Sequence, residues 1–258
     1  MTEAKIETRL HVDEPLAAGT ALGLDHGRAH FLRTVLRLRR GDRLAVFNGR
    51  DGEWLAAIDG LGKGWCSLAV IEQRRQAEPE PDLWLLFAPI KRARLDFLVE
   101  KATELGCARL QPVVTRRTNV SRVNLERLAA TAREAAEQCE RLTLPEVMPA
   151  QDLMTLLDGW PGERRLLLCA EAGSAEPMAE ALRQAEGRGS GAPESWAVLT
   201  GPEGGFDQSE LDALSKLPFV TPVGLGPRVL RADTAALAAL AIWQAHRGDA
   251  GKRPPGRA

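Results

Sequence analysis

The chain has 258 residues, of which 44% are apolar and 27% charged, and its formal net charge is −1. This length suits one large domain or a small domain followed by a medium one, and the composition is that of a soluble globular protein. A nearly neutral chain excludes nonspecific polyanion binding by its whole surface, so any contact with nucleic acid must come from local basic patches.

The cysteines are far apart in the sequence and do not form paired motifs: Cys66, Cys107, Cys139 and Cys169. Their spacing excludes a disulfide framework and a zinc site, so no metal is expected. Cys107, Cys139 and Cys169 lie in apolar contexts and are expected to be small buried hydrophobic residues. The amino terminus lacks an apolar signal core and no window reaches membrane-spanning length, which favours a cytoplasmic protein with no membrane partner.

Short apolar segments separated by turn residues predict a small β-rich domain, a partly closed barrel, over residues 1–74. The predicted strands are Arg9–Val12, Arg43–Phe47, Trp54–Ile58 and Trp65–Ile71. One helix is predicted around Gly27–Leu36. The charged, proline-bearing stretch Gln73–Asp82 is typical of a linker.

Apolar strands then alternate with helical patterns over residues 82–248, which predicts a mainly parallel α/β domain. The strands are Leu83–Ala88, Leu110–Val114, Leu166–Cys169, Ala197–Thr200 and Val220–Val223. Apolar residues recur at helical spacing in Leu95, Leu98, Ala102 and Leu105, which predicts a helix there. Asn124 can cap a second, long helix whose apolar face includes Cys139 and Leu142. Further helices are expected near 176–186, 208–217 and 234–247, and the tail 249–258 is expected to be disordered.

Two glycine-bearing loops carry the clearest functional signal. Leu199–Phe206 and Val223–Asp233 each follow a buried strand and precede a helical pattern. Ligands bind at the carboxyl ends of parallel strands, and glycine lets the backbone approach a ligand closely. The two loops therefore predict a nucleotide-sized pocket built mostly from main chain, although a tight turn is the alternative for either loop alone.

The first loop argues against a polyphosphate ligand. It lacks the lysine and hydroxyl of phosphate-cradling loops, and it lacks the glycine spacing of dinucleotide folds. Pro202 removes one amide donor and Glu203 adds negative charge. An uncharged heteroaromatic ring or a cationic centre would suit this loop better. Asp207 and Glu210 form a capping-box-like pair at the start of the helix that follows.

In the second loop, Arg231 stands directly before a predicted helix start. A cation is unfavourable beside the positive end of the helix dipole, so Arg231 is expected to have an anionic partner. Candidate partners are Glu203, Asp233 and a substrate phosphate. Asp233 or Thr234 can equally be no more than the amino-terminal cap of that helix.

Arginine is concentrated in two stretches. Residues 28–50 hold seven arginines against one acid, Asp42, and residues 105–125 hold Arg109, Arg116, Arg117 and Arg122 with no acid. Patches of this kind can contact RNA phosphates even on a neutral protein. The alternative is that each arginine only solvates the surface.

Several segments together resemble the RsmE family, the 16S ribosomal RNA uracil-N3 methyltransferases of the SPOUT superfamily. They are His30–Asp42, Phe47–Trp54, Glu100–Gly106, Glu134–Arg141, Thr200–Phe206 and Leu225–Ala235. The resemblance covers nearly the whole chain. It implies a PUA-like RNA-binding barrel followed by a SPOUT-type α/β domain with a deep trefoil knot. It also implies S-adenosylmethionine as cofactor, a homodimer, and methylation of a uridine at N3 in the decoding region of 16S ribosomal RNA of the small ribosomal subunit.

The resemblance and the loops together give candidate site residues. The catalytic candidates are Arg231, Glu203 and Asp233, the last standing where the family usually has glutamate. The expected cofactor-binding residues are Leu199, Thr200, Gly201, Pro202, Gly204, Gly205, Leu225, Gly226, Val229, Leu230 and Glu171. The expected RNA-binding residues are Arg33, Arg37, Lys91, Arg92, Arg94, Arg116 and Arg117. The family often has Lys-Gly-x-Lys where this chain has Lys91–Arg94, so positive charge is kept but the contacts differ.

Two other function classes stay open on sequence alone. A noncatalytic RNA-binding protein would use the barrel and the basic patches but would not need paired glycine loops. A nucleotide-binding α/β enzyme fits the alternation but lacks its glycine fingerprint. For the expected dimer, the alanine-rich helix Thr234–His246 is the candidate interface, with Leu237, Leu240 and Trp243 supplying apolar area.

Overall fold

The computed structural model describes residues 6–119, 122–170, 175–185 and 195–253, and the chain forms two compact units. The first unit contains the described residues up to Pro79 and the segment Ala136–Leu144. The second contains Glu80–Ala135 and the described residues from Pro145 onward. The predicted cofactor residue Glu171 and the tail beyond residue 253 lie outside the described residues.

The first unit is built on a mixed five-stranded sheet in the order β1-β3-β4-β5-β2. Its strands are β1 (Arg9–His11), β2 (Ala21–Leu24), β3 (Arg43–Phe47), β4 (Glu53–Gly62) and β5 (Trp65–Arg75). β1 pairs with β3 in parallel, and the other pairs are antiparallel. The four predicted strands are confirmed. Because β5 continues to Arg75, the predicted linker Gln73–Asp82 is wrong at its start.

The predicted helix Gly27–Leu36 is confirmed as helical, but it has two parts. α1 (His26–His30) is capped by the Asp25 carboxylate, and Phe31–Val35 continue as a π-helix. Arg37 follows with a φ of 58°, in the left-handed region that favours glycine. The backbone N–H of Leu38 then donates to the carbonyl of Leu32 at 2.9 Å, which closes the helix end.

Arg9 holds the segment Ala136–Leu144 within the first unit. Its Nη1 donates to the carbonyls of Ala136 and Glu137 at 3.1 and 3.0 Å, and its Nε donates to Glu53 at 2.7 Å. The guanidinium also lies 4.5 Å from the centre of the Phe47 ring. The sequence motif around residues 134–141 therefore has a structural role in this unit.

The long helix α3 (Leu125–Gln138) is shorter than its apolar pattern predicts. Its amino-terminal cap is confirmed, because the Arg127 N–H donates to the Asn124 side chain at 3.0 Å. The helix ends before Cys139, and Glu140 turns the chain with a φ of 63°. Cys139 is exposed, so its predicted burial is wrong. Leu142 instead packs with Phe47, outside the helix.

The second unit is a parallel α/β domain, as predicted. Its sheet runs in the order β11-β13-β10-β12-β6-β7-β8, and β9 also pairs with β7. The strands are β6 (Leu83–Phe87), β7 (Arg109–Val114), β8 (Glu146–Val147), β9 (Gln151–Asp152), β10 (Arg165–Cys169), β11 (Glu176–Pro177), β12 (Trp196–Thr200) and β13 (Val220–Gly224). The helices besides α3 are α2 (Arg92–Glu104), α4 (Leu153–Asp158), α5 (Met178–Gln184), α6 (Gln208–Leu214) and α7 (Ala232–His246).

Two apolar clusters form the core of this unit. One combines β-strand residues with residues of α2, α5 and α7, including Leu85, Leu98, Leu182 and Trp243. The other combines β-strand residues with residues of α4 and α6, including Leu86, Leu157, Leu199 and Leu214. Leu85 packs in the first cluster and its neighbour Leu86 in the second, because successive side chains point to opposite faces of a sheet. This explains why the strands are apolar throughout.

The alanine-rich helix α7 belongs to this core. Ala236, Ala239 and Leu240 are fully buried and Trp243 is 1% exposed within the single chain. The prediction that Leu240 and Trp243 supply area to a dimer interface is therefore wrong. The alanines let α7 approach α2, α5 and β12 closely within one subunit. No helix in the described ranges is long and apolar enough to cross a membrane.

One crossover is unusual in this sheet. β13 lies between β10 and β11, although β10 and β11 follow each other in the chain. A Cβ at Gly224, at the end of β13, would lie 3.2 Å from the carbonyl oxygen of Ala175, so the two backbones approach closely there. The predicted trefoil knot stays a prediction.

The left-handed Arg37 gives a stability prediction. Replacing Arg37 with glycine removes the conformational cost of a side chain at this φ and should raise the free energy of unfolding by about 0.5–1 kcal/mol. Arg33→Gly, in the preceding helical segment, should instead lower it by about 1 kcal/mol. Urea unfolding of both variants checks this. Equal destabilisation by both would contradict the conformational assignment of Arg37.

Candidate active site

Three adjacent parallel strands end at the same level. Cys169 at the end of β10 is in register with Thr200 of β12 on one side and with Val223 of β13 on the other. Two strand spacings separate β12 from β13, so the loops that leave them start about 10 Å apart. The structure thus brings the two predicted glycine loops to one edge of the sheet.

The loop after β12 is held at both ends. At its start, the Thr200 carbonyl accepts a hydrogen bond from the Ala88 N–H at 3.2 Å. Phe206 packs over Gly201 so closely that a Cβ there would lie 2.8 Å from the ring. At its end, Asp207 and Glu210 form the predicted capping box of α6. Pro202 is buried between these anchors, whereas Glu203 and Gly204 are exposed.

A turn after β7 fastens this loop further. Arg117 donates from Nη1 to the Gly204 carbonyl at 3.1 Å and from Nη2 to Asp207 at 3.3 Å. The backbone N–H of Arg116 donates to the buried Glu210 carboxylate at 2.8 Å. Hydrogen bonds from Ser209, followed by Arg117, lower the pKa of Asp207. Arg117, which the sequence predicts to bind RNA, therefore also orients the first glycine loop.

The loop after β13 presents apolar groups and open backbone. Leu225 and Leu230 are half-buried, whereas Val229 is 81% exposed, more than any other large hydrophobic residue of the described chain. Gly226 has a φ of 107°, which side-chain-bearing residues rarely adopt. An exposed apolar side chain beside open backbone is suited to contact a flat, uncharged ligand.

Asp233 and Arg231 do not pair with each other. Asp233 lies in the first turn of α7, accepts a hydrogen bond from the Thr234 N–H at 2.9 Å and pairs with Arg94 of α2 at 3.6 Å. The exposed Arg231 side chain makes no hydrogen bond or ion pair with any described residue. Of the three candidate partners, the structure does not pair Arg231 with Glu203 or Asp233, and a substrate phosphate is the candidate that is left.

The end of β10 lies between the strands from which the two glycine loops leave. Burial raises the pKa of the half-buried Cys169 thiol to about 12, which favours the neutral thiol at physiological pH. Across the described ranges, no group of three or more histidine, cysteine or acidic residues could hold a metal ion. The exposed charged groups of the two described loops are the Glu203 carboxylate and the Arg228 and Arg231 guanidinium groups.

The other predicted RNA-binding residues are placed as follows. Lys91 and Arg92 are exposed at the start of α2, where the side chain of Arg94 is tied to Asp233. The Arg116 side chain is exposed, and so are those of Arg33 and Arg37 in the first unit.

Sequence reasoning missed the role of Arg117 in holding the loop and the Arg94–Asp233 pair. No periodicity or motif could have revealed them, since each joins residues that are far apart in the chain.

The chain matches two family descriptions in sequence. The RNA methyltransferase domain matches residues 77–244, and the RNA methyltransferase PUA domain matches residues 24–70. A ribosomal RNA small subunit methyltransferase E from Rickettsia conorii is 35% identical over 90% of this chain and 93% of its own length. The protein of the same name from Synechocystis is 34% identical over 84% of this chain and 71% of its length.

Solved structures agree with these relatives. The ribosomal RNA small subunit methyltransferase E of Neisseria gonorrhoeae, crystallised with S-adenosylmethionine, superposes with a TM-score of 0.81 at 26% identity and covers 94% of this chain and 99% of its own. A methyltransferase from Legionella pneumophila, also with bound S-adenosylmethionine, gives 0.79 at 27% identity and covers 95% and 100%. The predicted fold class, a SPOUT-type α/β domain after a PUA-like domain, is confirmed. This chain belongs to the RsmE family of ribosomal RNA small subunit methyltransferases.

Proposed function

We propose that this S-adenosylmethionine-dependent ribosomal RNA methyltransferase methylates N3 of one uridine in the decoding region of 16S ribosomal RNA. The observation that carries the proposal is that the two glycine loops leave β12 and β13 at the same edge of the sheet. The loops carry the exposed side chains of Glu203 and Arg231, and Arg231 has no partner among the described residues. The names of the curated relatives and the S-adenosylmethionine in two solved relatives support the reaction class.

The residues of the loops fit this cofactor. A Cβ at Gly204 would meet only the Arg117 side chain, at 3.8 Å or more, and a Cβ at Gly226 would meet nothing within 4 Å. Both glycines thus border open space that a ligand can fill. Leu225, Val229 and Leu230 offer apolar contact to an adenine ring, and the main chain of the first loop offers hydrogen bonds. The exposed Glu203 complements a positively charged sulfonium.

When bound, S-adenosylmethionine supplies an electrophilic methyl group on a sulfonium centre. The acceptor N3 carries a weakly acidic imide proton and becomes nucleophilic as that proton leaves. Glu203 is the candidate base because it is exposed on the loop and pairs with no cation in the described part of the chain. Arg231 is the candidate for stabilising the negative charge that develops on the uracil carbonyl oxygens.

Asp233 has a different role in this proposal. Arg94 and the Thr234 N–H already engage the two oxygens of its carboxylate, at 3.6 and 2.9 Å. It joins the starts of α2 and α7 and so holds the backbone from which Arg231 projects. We therefore assign it as a positioning residue.

The proposal extends to the setting of the reaction. We assign the protein to the cytoplasm, where the small ribosomal subunit is its substrate, and to a homodimer, on family membership alone. Exposed arginines and lysines are the candidate RNA contacts: Arg33, Arg37, Lys91, Arg92 and Arg116. Digestion of methylated small-subunit RNA to nucleosides tests the reaction. N3-methyluridine is the expected product, and a methyl group on any other base would contradict the assignment.

Gly204→Val tests the cofactor site. The added side chain enters the open space beside the first loop without backbone strain, so affinity for S-adenosylmethionine should fall at least about tenfold while the melting temperature changes little. Gly162→Val is the matched control, because Gly162 also has free space around it but lies in the loop before β10. Calorimetric titration measures both variants. Unchanged affinity in folded Gly204→Val would contradict the placement.

Arg231→Gln tests the charge-stabilising role. Loss of one aimed cation should lower kcat by about 10²–10³-fold and leave the affinity for S-adenosylmethionine unchanged. Arg228→Gln removes an exposed arginine from the same loop and should have little effect on kcat. Single-turnover methylation of small subunits measures both. Equal losses in the two variants would show that the loop needs only general positive charge.

Glu203→Gln tests the proposed base. The amide keeps the size of the side chain but cannot accept the imide proton, so kcat should fall by about 10²–10⁴-fold. The pH dependence of kcat supplies a second readout, because a reaction without its base should become more dependent on hydroxide. A variant with wild-type kcat across the pH range would remove Glu203 from the mechanism.

A further inference from the structure

A second concave site lies in the α/β unit, where α2 and α3 begin. The cavity has a volume of about 260 Å³ and is lined by Ile90, Arg92, Leu95, Arg122, Val123 and Arg127. Asn124, the amino-terminal cap of α3, completes the wall. None of these residues belongs to either glycine loop, so the cavity is separate from the proposed cofactor site.

The rim of the cavity carries positive charge that the described chain does not neutralise. The Arg92 and Arg122 side chains are exposed and make no hydrogen bond or ion pair with any described residue. Arg127 pairs with Asp96 at 2.5 Å, but its Nε is buried without a partner. Two helix amino termini, those of α2 and α3, add partial positive charge. An anionic group would be stabilised here.

The floor of the cavity is apolar. Ile90 and Leu95 are 3% and 4% exposed, and Val123 is half-buried. A free phosphate would leave this surface uncovered. A nucleotide matches both parts, because its phosphate can meet the arginines while its flat base covers the floor.

The cavity adjoins the proposed reaction site through two direct links. Ile90 lies two residues after Ala88, whose N–H bonds to the Thr200 carbonyl at the start of the first glycine loop. Arg94, in the same helical turn as Arg92 and Leu95, pairs with Asp233 of α7. A nucleotide in this cavity would therefore lie close to the methyl acceptor but outside the loops that hold the methyl donor.

We propose that this cavity binds a nucleotide that neighbours the methylated uridine in the RNA, with its phosphate between Arg92 and Arg122 and its base on Ile90, Leu95 and Val123. The inference rests on the proposed function, which supplies the RNA. It assigns to this enzyme a reading of RNA beside the target base. It also gives a role to Arg92 and Arg122, which lie 30 positions apart in the sequence and line one cavity.

The test separates charge from shape. The double variant Arg92→Gln, Arg122→Gln removes the unpaired cations, and Val123→Trp fills the floor without changing charge. Arg183→Gln is the control, since Arg183 is exposed on α5 and pairs with Glu180. Fluorescence anisotropy measures binding of a labelled ten-nucleotide oligouridine over a series of salt concentrations. Calorimetry measures S-adenosylmethionine affinity in the same samples.

We expect the double variant to bind the oligonucleotide about tenfold more weakly at low salt. The slope of log affinity against log salt concentration should become shallower by about 0.7, because one phosphate contact is lost. Val123→Trp should bind about tenfold more weakly at every salt concentration with the slope unchanged. S-adenosylmethionine affinity should stay at the control value in both.

Affinity of the double variant within twofold of the Arg183→Gln control would overturn the site. Normal binding by Val123→Trp would overturn the base pocket and leave only diffuse attraction of the backbone. Failure of the wild-type protein to form N3-methyluridine would instead refute the proposed function, and it would do so without changing these binding results.

Discussion

The pairing of β10 with both β12 and β13 is the constraint on which the site depends. It aligns Cys169 with Thr200 and Val223, so three chain segments leave the sheet at one level. The parallel direction of the strands puts their loops at the same edge, which is where α/β domains bind ligands. The exposed Gly204 and Gly226 leave open space beside the backbone at these loop ends. Without this register the same loop sequences would be separate turns.

Contacts from more distant segments keep the two loops in place. Arg117 and the Arg116 amide fasten the first loop through Gly204, Asp207 and Glu210. The Arg94–Asp233 pair joins α2 to the helix that follows the second loop. Both sets of contacts use charged groups near the proposed cofactor site, yet neither engages Arg231. That guanidinium stays unpaired among the described residues, and the proposed mechanism gives it the developing charge of the substrate.

The sequence was informative where one segment determines its own structure. The apolar strands, the Asn124 cap and the Asp207–Glu210 capping box are local, and all were predicted. Interactions between distant segments were not. Cys139 has an apolar neighbourhood in sequence, but the left-handed Glu140 ends the helix and leaves the thiol exposed. The partner of Asp233 proved to be Arg94 on another helix. The short strand β2 was missed because it contains only two buried residues, Leu22 and Leu24.

We propose that the aligned ends of β10, β12 and β13 form a site for S-adenosylmethionine and for no polyphosphate cofactor. Pro202 and Glu203 in the first loop remove a donor and add a negative charge where a phosphate would need the opposite. Parallel calorimetric titrations with S-adenosylmethionine, ATP and NAD measure this preference. We expect saturable binding of S-adenosylmethionine and no detectable heat of binding for ATP or NAD. Tighter binding of ATP or NAD than of S-adenosylmethionine would contradict it.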